Sequence, residues 1–69
     1  MRDNNYLKEM GKRIRAIRNE QKITLRELGA LCNLQHDAIS RIELGEKDSH
    51  ILTLKTIADN LNVDVKDFV

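Results

Sequence analysis

Proline is absent from this chain of 69 residues, glycine occurs three times, and cysteine, phenylalanine and tyrosine occur once each. With no proline, no helix has to break at a ring clash and no stiff proline-rich linker exists. The single cysteine, Cys32, excludes an internal disulfide and a cysteine-rich zinc cluster, so side-chain packing must hold the fold together. No low-complexity tract or internal repeat interrupts the chain. No apolar run approaches the roughly 18 residues that a membrane-spanning helix needs. No segment combines a charged start, an apolar stretch and a small-residue cleavage site, so a cytoplasmic location is expected. What is present is 41% apolar residues, enough for one marginal core, which predicts a single domain over residues 1–69.

The formal net charge of +1 hides an asymmetry. Residues 1–26 carry eight Lys or Arg against three Asp or Glu, whereas residues 27–69 carry four against eight. The basic N-terminal part suits a phosphate-facing side and equally suits a solvated helix surface.

Apolar periodicity predicts an all-α chain of five helices joined by short turns. Leu7, Met10, Ile14 and Ile17 lie three and four apart, which puts them on one face of a first helix from about Asn5 to Gln21. Thr24 precedes Leu25-Arg26-Glu27 at capping-box spacing and starts a second helix, with Leu28, Leu31 and Cys32 expected inward. Asn33 tolerates the left-handed conformation that a reversal of direction needs. Gln35 opens a third helix with Ala38, Ile39 and Ile42 inward and Asp37, Ser40, Arg41 and Leu44 outward, and Gly45 ends it. Leu54, Ile57, Ala58 and Leu61 define a fourth helix. Asp64 can cap a short fifth one that ends at Phe68.

Gly29 stands inside the second helix, where glycine costs about 1 kcal/mol relative to alanine. Close approach of the next element supplies a reason for it. Residues 24–44 so arranged resemble the helix-turn-helix of the phage Cro and repressor family, the XRE-like family, and the likeness extends over nearly the whole chain. Gly11, Ile14 and Arg18 match its first-helix pattern G-x-x-I-x-x-x-R. Ile39-Ser40-Arg41-Ile42-Glu43-x-Gly45 is similar to its I-S-R-I-E-x-G signature, and Thr53-Leu54, Ile57-Ala58 and Leu61 match its fourth helix.

The resemblance implies a compact lambda-repressor-like domain and a sequence-specific regulator of transcription, expected to act as a repressor and a homodimer on near-palindromic double-stranded DNA. Its third helix would lie in the major groove. His36, Asp37 and Arg41 occupy the base-reading places. Arg41 can grip guanine O6 and N7, and Asp37 can accept from cytosine N4. Four apart on one helix, Asp37 and Arg41 can instead bridge each other. Gln35 and Ser40 stand beside them as backbone or secondary contacts, with Lys22, Thr24, Arg26 and Lys47 as phosphate contacts. Arg18 and Glu43 are implied to form a structural ion pair between the first and third helices, and Val65, Phe68 and Val69 are candidate dimer contacts. For Phe68, the only phenylalanine, a place in the core is the competing reading.

Three positions depart from the family. Leu25 stands where a glutamine usually opens the second helix, Asn33 replaces the turn glycine, and Ser49 replaces a proline, which predicts a looser loop after Gly45. Acidic Asp37, Glu46 and Asp48 weaken phosphate attraction, which adds to the expectation of a dimer.

Catalysis is not expected. His36-Asp37 and the lone His50 lack the further ligands of a metal-dependent hydrolase, and inward-facing Cys32 has no histidine to activate it. Neither a cofactor, a metal nor a small-molecule ligand is expected. The alternative to a DNA-binding regulator is a non-catalytic protein-interaction module of the same fold, such as the antitoxin or assembly partner of another protein.

Overall fold

The computed structural model describes residues 4–46 and 50–68. Four α-helices are formed there: α1 (Asn4–Glu20), α2 (Leu25–Cys32), α3 (His36–Glu43) and α4 (Ile51–Leu61). The expected fifth helix is a single 3-10 turn, Val65–Phe68. Four residues cannot close a ladder of i to i−4 bonds, and this segment is held instead by Asp67 N–H donating to the Asp64 carbonyl at 2.9 Å. Asp64 caps it as expected, Oδ1 accepting from the Lys66 N–H at 3.4 Å, and Asp67 Oδ2 reaches back to accept from the Asp64 N–H at 3.1 Å. No strand occurs among the described residues.

Turn chemistry sets the helix lengths. Thr24 Oγ1 accepts from the Glu27 N–H at 3.1 Å while Glu27 Oε1 accepts from the Thr24 N–H at 2.8 Å, a complete capping box at the start of α2. Lys22, Asn33 and Asn62 each adopt a left-handed φ of 59° and end α1, α2 and α4 respectively. Asparagine favours that conformation, whereas nothing in the sequence marks Lys22 as a turn. Gly45, with φ 75°, follows the end of α3.

The core is Met10 and Ile14 of α1, Leu28 and Cys32 of α2, Ile39 and Ile42 of α3, Leu54, Ile57, Ala58 and Leu61 of α4, and Phe68. Leu7, Ile17, Ile23, Leu25 and Leu34 pack half-buried around it. Leu31, expected inward, is 55% exposed. Successive residues turn by about 100°, and the buried arc of α2 runs through Leu28, Cys32, Leu25 and Gly29, which leaves Leu31 beyond its edge. The arc is drawn toward Gly29 because the chain entering α3 crosses there. A Cβ on Gly29 would lie 2.7 Å from the Leu34 carbonyl oxygen.

A second close crossing joins α1 to the end of α3. A Cβ on Gly11 would meet the Glu43 carbonyl oxygen and fall 2.5 Å from that of Ile42. Gly11→Ala is therefore expected to lower stability by about 1–2 kcal/mol in urea unfolding, the overpacking outweighing the gain in helix propensity. A stabilised variant would show that the two backbones separate freely.

Burial pushes the Cys32 thiol above its ordinary pKa, an effect partly offset by the Asn60 amide donating to its sulfur at 3.6 Å. The thiol is protonated at neutral pH and behaves as a small apolar group. Gln21, the first residue after α1, donates through Nε2 to the Leu61 carbonyl at 2.6 Å and so satisfies the end of α4.

Candidate nucleic-acid interface

Helix α3 has two faces of different chemistry. Ile39, Ile42 and Glu43 are buried on one, and His36, Asp37, Arg41 and Leu44 are exposed on the other, with Ser40 half-buried at the border. At eight residues it is roughly 12 Å long, and with side chains about 10–12 Å wide, which matches the width of the B-DNA major groove.

The position of α3 is fixed at both ends. Arg18 of α1 donates through Nε to Glu43 Oε2 at 2.7 Å and through Nη2 to Glu43 Oε1 at 3.0 Å, a two-pronged pair with both residues 7% exposed. The third prong, Nη1, donates to the Ile23 carbonyl at 2.8 Å, so one side chain ties α1, the turn before α2 and the last residue of α3. At the other end the chain is pressed against Gly29. Among the described residues no buried side-chain polar atom lacks a partner.

Arg26 of α2 lines one shallow groove together with Gln35 and His36. Gln35, Asp37 and Arg41 line an adjoining one. The structure thus brings Arg26, Gln35, His36, Asp37 and Arg41 to one continuous surface. Lys22 lies apart from it, in a groove with Ile23 and Leu31. Thr24 is exposed at the start of α2, with its hydroxyl hydrogen free to donate. The Leu25 and Arg26 amides next to it have no acceptor within the described chain, nor have those of His36 and Asp37 at the start of α3.

Asp37 and Arg41 do not bridge each other. The Asp37 carboxylate lies instead 3.3 Å from His36 Nε2. Arg41 is exposed, and among the described residues no carboxylate stands within ion-pair distance of it. Leu25, at the position of the family's glutamine, is half-buried against the core and offers no polar group to this surface.

Of the candidate dimer contacts, Phe68 requires correction. It is 0% exposed and the largest fully buried side chain, seated where the 3-10 turn packs on α1 and α4. A phenylalanine that fills the core of its own chain is not available to a second one. Val65 is half-buried. Lys47 and Val69, and the looser loop expected at Ser49, lie outside the described residues. Large apolar side chains are exposed elsewhere, at Tyr6, Leu31, Leu44, Ile51 and Leu52.

Among the described residues no three His, Cys, Asp or Glu gather as metal ligands, and no helix is long and apolar enough to cross a membrane. The exposed groups here are hydrogen-bond donors, acceptors and cations on a rigid helix, a surface that can read and hold a polyanion.

No curated protein matches the chain significantly by sequence. Among solved structures, the fold is similar to that of the restriction-modification controller protein C.AhdI from Aeromonas hydrophila, with a TM-score of 0.88 and 19% identity over 91% of this chain and 96% of that one. The clp gene regulator ClgR from C. glutamicum superposes with a TM-score of 0.88 at 25% identity, covering 91% of this chain and 81% of that one. The same fold forms part of hydroxypropylphosphonic acid epoxidase from S. wedmorenis, with a TM-score of 0.89 at 16% identity over 97% of this chain but 36% of that one. An enzyme thus contains this architecture too, and fold similarity alone assigns no activity. The family assignment comes from the sequence pattern laid over that fold: a helix-turn-helix family model matches residues 14–68, and the chain belongs to the XRE-type helix-turn-helix family of DNA-binding transcriptional regulators.

Proposed function

We propose that this chain is a non-enzymatic, cytoplasmic repressor that binds double-stranded DNA sequence-specifically as a two-fold dimer. The observation that carries this reading is the outer face of α3, where Arg41, His36 and Asp37 stand exposed on a helix whose inner face is anchored through Glu43. In this reading α3 enters the major groove, Arg41 grips a guanine, Asp37 accepts from a cytosine, and His36 reads beside them. Arg26, Gln35, Ser40, the Thr24 hydroxyl and the free amides at the start of α2 meet the backbone, with Lys22 and Lys47 as outlying phosphate contacts. A two-fold dimer would read half-sites about 10 base pairs apart.

Selection of random duplex DNA on the purified protein at near-physiological salt tests this directly. The expected result is an enriched palindrome, with Arg41→Ala losing about 1–3 kcal/mol of discrimination at one base pair per half-site while the rest of the motif persists. Sedimentation of the complex should give two chains per duplex. A transcript that falls when the palindrome overlaps its promoter would identify a repressor, and one that rises an activator. If nothing enriches, and low salt restores no binding, the chain is a protein-assembly module instead. Its binding would then lack the steep salt dependence that phosphate contacts impose.

A further inference from the structure

The first two residues of α3 place an imidazole against a carboxylate. His36 Nε2 lies 3.3 Å from Asp37 Oδ1, with the two side chains 48% and 73% exposed. Neighbouring residues on a helix point about 100° apart, so this approach means that the two side chains lean toward each other. Among the described residues, the other charged group lining the groove with His36 is Arg26 of α2, and the free amides at the start of α3 add partial positive charge. In the free chain one negative group and two positive influences therefore surround the imidazole.

A duplex reverses that balance. It brings about one phosphate charge per 1.7 Å of axis, and Arg26 is engaged by a phosphate. A neutral His36 would leave the Asp37 carboxylate at full charge close to the phosphates. A protonated one takes the pair from one negative charge to none, while the second carboxylate oxygen stays available to a cytosine amine. Resting on the proposed DNA-reading role of α3, we infer that His36 and Asp37 form a proton-linked couple: the complex with DNA takes up a proton at His36, and affinity falls as pH rises through neutrality.

The sign follows from linkage. A group that binds its proton more tightly in the complex contributes fully below the titration of the free chain and loses that contribution as pH rises through the titration of the complex. The range to measure is about pH 6 to 8, in which histidine is the side chain that commonly changes charge. Uptake of a whole proton sets the upper limit of the slope, about tenfold in Kd per pH unit.

Fluorescence anisotropy on the duplex enriched by selection, at constant ionic strength across this range, tests the couple. The wild-type Kd is expected to rise roughly tenfold over the window. In His36→Gln the dependence should vanish, whatever that variant's absolute affinity. Asp37→Asn should make it shallower, and His50→Gln, which changes the other histidine, should keep it. A flat wild-type profile, or a slope that survives in His36→Gln, overturns the inference while the DNA-reading role stands. Absence of binding at every pH overturns both.

Discussion

Replacing Glu43 by alanine is expected to cost about 3–5 kcal/mol of folding free energy, measured by urea unfolding followed through helical circular dichroism. The reason lies in what remains. A guanidinium keeps its charge in proteins, and with the carboxylate gone that of Arg18 stays buried, with the Ile23 carbonyl its one remaining acceptor among the described residues. A chain of this size has a total stability of only about 5 kcal/mol, so the variant should be largely unfolded near physiological temperature. Arg18→Ala strands Glu43 in the same way. The double change Arg18→Met with Glu43→Leu removes both charges and should recover most of the loss, because apolar residues often replace a buried pair without penalty. If Glu43→Ala costs less than about 1 kcal/mol, the pair behaves as a solvated surface bridge and its anchoring role for α3 falls.

Phe68→Ala carries a loss of similar size, about 3–5 kcal/mol. Phe68 is fully buried close to the C-terminal end, and its ring is what holds the 3-10 turn to α1 and α4. A core role makes the fall in unfolding midpoint independent of protein concentration. An interface role would make the fall depend on concentration and leave the monomer's own stability intact. The two outcomes separate cleanly in a dilution series.

These two residues also show how far a sequence can be read. Arg18 and Glu43 lie 25 positions apart, and no spacing rule pairs them. They emerged only because Gly11, Ile14 and Ile39 to Gly45 resemble a family in which such a pair exists. Helix-to-helix spacing, by contrast, marked Ile14, Leu28, Ile39, Ile57 and Leu61 directly, and all five are fully buried. Local chemistry was legible wherever donor and acceptor sit within one turn, as at Thr24 and Glu27. Contacts between distant elements left no such trace. The Gln21 bond to Leu61, the Asn60 contact with Cys32 and the left-handed Lys22 each depend on how the helices are arranged in space. Leu31 was misplaced for the same reason, because periodicity gives the width of an apolar stripe but not the rotation that a crossing at Gly29 imposes. At the candidate interface, the spacing offered Asp37 a bridge to Arg41, whereas its carboxylate turns to the adjacent His36, a choice that only side-chain conformation decides.

The division of α3 into an anchored side and an open side has an evolutionary consequence. Ile39, Ile42 and Glu43 determine whether the protein exists as a folded object, and His36, Asp37 and Arg41 contribute nothing to that core. Mutations at the three outer positions are therefore cheap to sample: a lineage can drift through many combinations there without passing through an unfolded ancestor, while the inner positions stay under constant purifying pressure. One scaffold can in this way give rise to many descendants that differ in what they recognise and hardly at all in how they fold.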